Sequence, residues 1–157
     1  MTIPHRGQTS CATYFITAST FCKMRLLQSE RMANLFCSTL LEYRSARKFL
    51  LQAFVVMPNH IHLLITVPEG TTLERTMQFI KGGFSWEAGR LTRLSHPFWQ
   101  KSSFDRRVRD LQEFETFQDY IHKNPVVAML CGLPEQYPYS SMNPRFVMDE
   151  LPQRLKP

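Results

Sequence analysis

Two histidines separated by one residue, His60 and His62, are the side chains whose type and spacing most directly suggest chemistry. They follow the dipeptide Pro58-Asn59, which is typical of a turn between two strands, and they open a run rich in Ile and Leu. Side chains alternate between the faces of a strand, so both imidazoles project to one side together with Leu64. Two adjacent imidazoles are suitable ligands for a divalent metal ion. The alternative is a histidine pair that caps a sheet or bonds to the backbone.

A second group of chemically useful side chains lies on a predicted helix. Apolar residues recur at helical spacing from Leu111 to Asn124, and Pro125 is expected to end or kink this helix. Tyr120 and Asn124 are four residues apart and therefore share one face, whereas His122 points away from both. The alternative for Tyr120 is an aromatic residue of the helix core whose hydroxyl lies at the rim. Asn124 is equally compatible with the cap of a new helix that begins at Pro125.

The remaining elements are predicted from strand-like runs, helical stripes and capping residues. They are a strand at Tyr14–Thr17, a helix capped by Ser29, a strand from about Phe49 into the hairpin, a helix capped by Thr71 or Thr72 that Gly82-Gly83 interrupts or loosens, and one or two edge strands within 97–108. The order strand, helix, strand, strand, helix, strand, helix is the split βαβ pattern of ferredoxin-like domains. The sequence therefore predicts an α+β fold with the helices on one face of an antiparallel sheet.

The composition limits the architecture. A chain of 157 residues with 43% hydrophobic residues fits one domain. We predict a loose lead-in over residues 1–12, the domain proper over 13–141 and a C-terminal tail over 142–157. The four cysteines include no Cys-x-x-Cys pair, which argues against a zinc ribbon. No apolar run approaches the roughly 20 residues that span a membrane, and no signal-peptide pattern opens the chain, so we expect a cytoplasmic protein without a membrane partner.

The charge indicates the class of partner. A formal net charge of +6 at pH 7 suggests a polyanion, with nucleic acid as the first candidate. Lys101, Arg106, Arg107 and Arg109 form a local cluster of positive charge along which a phosphate backbone could lie. The alternative is that these are solvated cations of an edge strand that discourage aggregation.

Four motifs, taken in this order, resemble those of the single-tyrosine HUH transposases, and within them the REP-associated tyrosine transposases. They are Met57–Leu64, Ile80-Lys81, Phe98–Gln100 and Tyr120–Val126, and the resemblance extends from about Tyr14 to Ser141. It implies a nuclease of DNA transposition that cuts single-stranded or hairpin DNA with a tyrosine nucleophile and a divalent metal. A set of imidazole nitrogens and an amide oxygen suits Mg²⁺ or Mn²⁺.

The resemblance also implies roles for particular residues. His60 and His62 correspond to the metal-binding histidines, Tyr120 to the nucleophile and Asn124 to a polar group that completes the metal site. Lys81 joins the four cations named above as a candidate DNA-binding residue. Attack by the tyrosine would give a 5′-phosphotyrosine bond and a free 3′-hydroxyl, and rejoining would need no ATP because the covalent bond retains the phosphodiester energy.

Two other functions stay open at this point. One is a domesticated relative that binds DNA hairpins without turnover, and the other is a metal hydrolase that uses water instead of tyrosine. A homodimer is one of the expected assemblies, because related transposases include dimers that share active sites.

Overall fold

The computed structural model describes residues 11–157, so the predicted lead-in lies outside the described residues except for Cys11 and Ala12. The elements of this part of the chain are β1 (Ala12–Ser19), α1 (Glu30–Ser45), β2 (Leu50–Met57), β3 (His60–Val67), α2 (Leu73–Leu91), β4 (Phe104–Arg107) and α3 (Leu111–Val127). The strands form an antiparallel sheet in the order β2-β3-β1-β4. The predicted α+β class with an antiparallel sheet is confirmed. No helix among the described residues is long and apolar enough to cross a membrane.

The two crossover helices cover one face of the sheet. There, Phe36 of α1 and Phe84 of α2 pack in one hydrophobic cluster with Ile61, Leu63 and Ile65 of β3. All five side chains are fully buried. This face contains the larger part of the core and carries no residue of the predicted histidine site.

The third helix covers the opposite face, which corrects the expectation that the helices share one side. Phe114 and Ile121 of α3 pack with Phe15, Val55 and Leu64, whose side chains alternate with those of the first cluster. The physical reason is that β2 and β3 are buried along nearly their whole length, so both faces of these strands need a cover. As a result α3 lies on the same face as the two histidines.

The helix starts agree with the predicted caps. The Ser29 hydroxyl accepts a hydrogen bond from the Met32 backbone N–H, and the Thr72 hydroxyl accepts one from Arg75. Asp110 begins α3 in the same way. Each cap satisfies a backbone donor that the first turn of a helix leaves free.

Two predicted interruptions do not interrupt their helices. α2 continues through Gly83, where an added Cβ would collide with the side chain of Tyr43 on α1, so the glycine serves the close approach of the two helices. α3 continues through the buried Pro125 to Val127. The missing N–H of proline removes one bond, and the last turn still closes through the Ala128 N–H, 3.0 Å from the Asn124 carbonyl oxygen. Asn124 therefore does not cap a new helix.

The residues after α3 wrap the domain in extended and irregular structure. They follow the free edge of β2. There, the Val56 N–H donates to the Tyr139 carbonyl oxygen (2.8 Å) and the Ser141 N–H donates to the Phe54 carbonyl oxygen (2.9 Å). These bonds satisfy backbone groups that an edge strand would otherwise expose.

A bidentate ion pair fastens the end of this tail. Arg44 of α1 donates from Nε and Nη2 to the two carboxylate oxygens of Asp149, at 2.8 and 2.9 Å. The Leu51 N–H of β2 donates to the same carboxylate at 2.8 Å. The hydrogen bond with Arg44 is the main reason that the pKa of Asp149 lies below its usual value. The carboxylate thus joins the tail, α1 and β2.

We expect Asp149→Asn to lower the free energy of unfolding by about 1–3 kcal/mol, because it replaces charge-assisted bonds. Urea denaturation of the two proteins measures the difference. The difference should be constant above about pH 5 and should shrink below about pH 4, because the unfolded carboxyl there binds a proton that the folded one resists.

The neighbouring Glu150→Gln is the matched control. Glu150 is 90% exposed and pairs with Lys156 at 3.5 Å, so its loss should change stability by less than about 0.5 kcal/mol. Equal effects of the two substitutions would contradict the assigned role of Asp149.

Candidate active site

The predicted hairpin brings the two histidines to one end of the sheet. β2 ends at Met57 and β3 begins at His60, so Pro58-Asn59 forms the two-residue turn. The two imidazole rings project to the α3 face with their centroids 4.8 Å apart. Their shared side, predicted from strand alternation, is confirmed.

His62 is held by two residues of β1. The pairing of β1 with β3 sets Thr17 directly opposite His62, and the Thr17 hydroxyl oxygen lies 2.8 Å from the ring nitrogen Nδ1. The ring of Phe15 stacks on the imidazole with centroids 5.5 Å apart. His62 is only 3% exposed, and its Nε2 is buried without a hydrogen-bond partner among the described residues.

Burial determines the charge of both imidazoles. Burial, with a smaller contribution from His60, lowers the pKa of His62 to about 3. Burial also lowers the pKa of His60, and Lys23 adds to this shift. The Nδ1 atom of His60 lies 2.7 Å from the side-chain oxygen of Asn59. Both rings are therefore neutral at physiological pH. In each ring, Nδ1 lies within hydrogen-bond distance of a side-chain oxygen.

Tyr120 of α3 lies beside His62. The two rings meet edge to face with centroids 5.2 Å apart, and the Tyr120 ring is also edge-on to Phe15 at 5.8 Å. Phe117 and Ile121 on the neighbouring positions of α3 pack towards the sheet, and Phe117 stacks on Phe15 at 4.5 Å. This packing leaves Tyr120 at the rim, 51% exposed.

The polar group one turn beyond Tyr120 is Asn124, which is partly buried. Its position four residues later places it on the same side of α3 as the tyrosine. No group of three His, Cys, Asp or Glu side chains within residues 11–157 could hold a metal ion. A third protein ligand beside the two histidines would therefore be a side chain other than His, Cys, Asp or Glu. The side-chain amide oxygen of Asn124 is one candidate of that kind. His122 lines a separate surface cleft with Asp119, and neither Tyr120 nor Asn124 lines that cleft, which agrees with the prediction that His122 points away from both.

The five candidate DNA-binding residues are divided between the two faces of the sheet. Lys81 lies on α2, where its ammonium donates to the Gln100 carbonyl oxygen (3.2 Å) and the Ser103 hydroxyl (3.1 Å). Burial lowers the pKa of Lys81. Lys101 lines the same cleft as Lys81. These two residues mark the edge of the sheet at the start of β4.

The arginines of and after β4 alternate between faces. Arg106 pairs in register with Phe15, on the α3 face, and bonds to Glu113 at 3.0 Å. Arg107 pairs with Tyr14 and so lies on the face of α1 and α2. The Arg109 side chain is exposed. The predicted cluster therefore forms a band of cations around the β4 edge, with members on both faces of the sheet.

Sequence reasoning missed Thr17 and Phe15 as site residues. Both lie in a strand that was correctly predicted, and their alternation with Ile16 was visible. What the sequence does not contain is the register that sets Thr17 against His62.

A comparison of the sequence with known families shows the class of protein to which this fold and candidate site belong. Residues 9–124 match the family described as IS200-like transposases, and the chain belongs to that family.

Curated relatives carry a more specific name. The chain is 25% identical over 155 residues to a Haemophilus influenzae protein provisionally named a REP-associated tyrosine transposase, covering 88% of this chain and 84% of that protein. It is 26% identical over 105 residues to the Escherichia coli REP-associated tyrosine transposase, covering 66% of this chain and 61% of the relative.

Solved structures share the fold. The structure of a REP-associated tyrosine transposase bound to a REP hairpin superposes with a TM-score of 0.72 at 22% identity and covers 99% of this chain and 94% of that one. A transposase-like protein of Deinococcus radiodurans superposes with a TM-score of 0.56 at 20% identity, covering 76% of this chain and 95% of that one.

The packing around Phe15 leads to a stability prediction. Tyr120→Phe should change the free energy of unfolding by less than about 0.5 kcal/mol, because the residue is half exposed. Phe15→Leu should cost about 1–2 kcal/mol, because the buried ring stacks on both Phe117 and His62. Urea denaturation measures both. A large loss in Tyr120→Phe would show that the tyrosine is a core residue.

Proposed function

We propose that the protein is a metal-dependent tyrosine endonuclease and strand transferase that acts on single-stranded or hairpin DNA in DNA transposition. The observation that carries this proposal is the 5.2 Å separation of the Tyr120 and His62 rings within one chain. A half-exposed phenol next to two neutral imidazoles, one buried and one partly buried, combines a nucleophile with candidate metal ligands in the manner of HUH endonucleases.

The relatives support the choice of DNA as the partner. One solved structure of similar fold is a transposase bound to a REP hairpin, and the Escherichia coli relative has the same type of name. The net charge of +6 and the band of cations around β4 suit a phosphate backbone. We assign the phosphate contacts to the following residues: Lys81, Lys101, Arg106, Arg107 and Arg109.

The site fits a divalent metal, and we assign Mg²⁺ or Mn²⁺ to His60, His62 and Asn124. The strongest support is the buried Nε2 of His62, an atom without a hydrogen-bond partner among the described residues. When Nδ1 carries the ring proton and donates it to Thr17, Nε2 presents its lone pair as a ligand. Bound there, the cation would polarise the scissile phosphate and offset charge in the transition state.

The tyrosine would carry out the covalent step. The Tyr120 oxygen would form a bond to phosphorus while the bond from phosphorus to the 3′ oxygen breaks. The phenol proton would leave to solvent and the departing 3′ oxygen would take up a proton, which leaves a 5′-phosphotyrosine and a 3′-hydroxyl. Attack by a 3′-hydroxyl on the phosphotyrosine would rejoin a strand. The exposure of Tyr120 leaves its hydroxyl accessible to a DNA strand.

One chain supplies both the tyrosine and the histidines, so the proposed cleavage requires no second copy. The homodimer stays a prediction, as does the cytoplasmic location. A monomer that cleaves DNA would be consistent with this arrangement in one chain.

The covalent intermediate provides the direct test. We expect the protein with Mn²⁺ to form a denaturation-resistant adduct with a labelled pool of hairpin DNAs with randomised single-stranded flanks. A denaturing gel should show the adduct in the wild type and none in Tyr120→Phe or with a chelator. Tyr43→Phe is the matched control, because Tyr43 lies on α1 at the opposite face, and it should retain the adduct.

Other outcomes favour the alternatives. Cleavage that survives Tyr120→Phe and disappears in His60→Ala would indicate a metal hydrolase that uses water. Hairpin binding without an adduct under any metal condition would indicate a binding protein without turnover.

Thr17 yields a test of the metal assignment that does not depend on activity. We expect Thr17→Val to weaken Mn²⁺ binding by about 10- to 100-fold in calorimetry, because the hydroxyl orients His62. Thr13→Val is the control, since Thr13 lies on the same strand and bonds to Thr66 at 2.9 Å, away from the histidines. Equal loss of Mn²⁺ affinity in both variants, or in neither, would count against the assigned ligand set.

A further inference from the structure

We propose that the exposed ring of Phe104, at the β4 edge of the sheet, is a platform on which an unpaired nucleobase of the DNA stacks. The inference rests on the proposed function, because the base belongs to the strand that Tyr120 would cut. It adds a binding subsite and a reason for the preference for unpaired DNA.

The register places Phe104 next to the candidate active site. β4 pairs with β1 so that Phe104 lies directly opposite Thr17, on the same face of the sheet. Thr17 is the residue whose hydroxyl contacts His62. The Phe104 ring is edge-on to Phe15 with centroids 6.4 Å apart, and Phe15 in turn touches the rings of His62 and Tyr120. One side chain therefore separates Phe104 from both chemical groups.

The exposure of Phe104 calls for an explanation beyond packing. The side chain is 58% exposed, and every residue of β4 is exposed. The other members of this strand are Asp105, Arg106 and Arg107, which are ordinary for an edge strand. A large aromatic ring at the same edge leaves apolar surface in water, which favours a partner with a flat apolar face.

The charges around Phe104 identify that partner as a nucleic acid strand. Lys101 precedes it by three residues and forms no ion pair with the described residues. Arg106 follows on the same face and lies over the Phe117 ring at 5.7 Å. Lys81 anchors the segment before β4 through Gln100 and Ser103. Aromatic platforms flanked by cations are the usual means of holding single strands, because each base stacks while its phosphate is neutralised.

Stacking on Phe104 requires a base that is not already stacked in a duplex. The platform would therefore favour single strands and the unpaired bases beside a hairpin stem. Because every base has an aromatic face, this subsite would contribute affinity with little dependence on sequence.

The experiment compares two DNA probes on the full-length protein in a chelator, so that no cleavage occurs. One probe is oligothymidylate of about 20 nucleotides and the other is an abasic oligomer with the same number of phosphates. We expect Phe104→Ala to weaken binding of oligothymidylate by about 5- to 100-fold in fluorescence anisotropy and to leave abasic binding unchanged. Phe104→Trp should restore the preference for the probe with bases.

Two controls separate stacking from other effects. Val147→Ala removes a 77% exposed apolar side chain from the tail that lies along β2, at the opposite edge of the sheet, and should change neither affinity. Lys101→Ala should weaken both probes by a similar factor, because it removes a phosphate contact. Equal effects of Phe104→Ala on the two probes, or no effect on either, would overturn the inference.

The experiments distinguish a failure of the stacking platform from a failure of the proposed cleavage reaction. A wild-type protein that forms the tyrosine adduct while Phe104→Ala keeps the preference for bases would refute only the stacking platform. A preference for bases that depends on Phe104 in a protein that never forms the adduct would refute only the cleavage reaction.

Discussion

The antiparallel register between β1 and β3 is the constraint on which the candidate site depends. It sets Thr17 against His62 and Ser19 against His60, and it places Phe15 on the same face as both imidazoles. A slip of one residue would turn Thr17 and Phe15 to the other face. That slip is resisted because β3 is buried on both faces and because the turn between β2 and β3 has only two residues.

The environment of His62 is costly for a residue with a structural role only. Burial of a polar atom without a hydrogen bond costs about 1–3 kcal/mol, and Nε2 of His62 is such an atom among the described residues. Burial lowers the pKa of the ring and so keeps it neutral at physiological pH. The hydrogen bond with the Thr17 hydroxyl orients the ring. A buried polar atom without a hydrogen-bond partner is typical of a functional site, where such an atom binds a ligand.

The sequence predicted those features that depend on neighbours along the chain. Strand alternation put His60 and His62 on one side, and helical spacing put Tyr120 and Asn124 on one face of α3. The sequence did not predict that α3 covers the face opposite to α1. Strands that are apolar on both faces do not indicate which helix covers which face.

The tail and the β4 edge together define how a DNA strand would reach the site. Residues after α3 bond along β2, so that edge of the sheet is covered. Within residues 11–157, the opposite edge is the four-residue β4, which is exposed throughout and is surrounded by the band of cations. The histidines and Tyr120 lie on the α3 face. β1 separates the histidines on β3 from this edge, and the Phe15 ring separates Phe104 from His62 and Tyr120. Under the proposals above, a DNA strand that approaches over β4 would contact the cations and the Phe104 ring of this edge before it reached the phenol of Tyr120. An unpaired base would thus be held on Phe104 while a neighbouring phosphate reaches Tyr120.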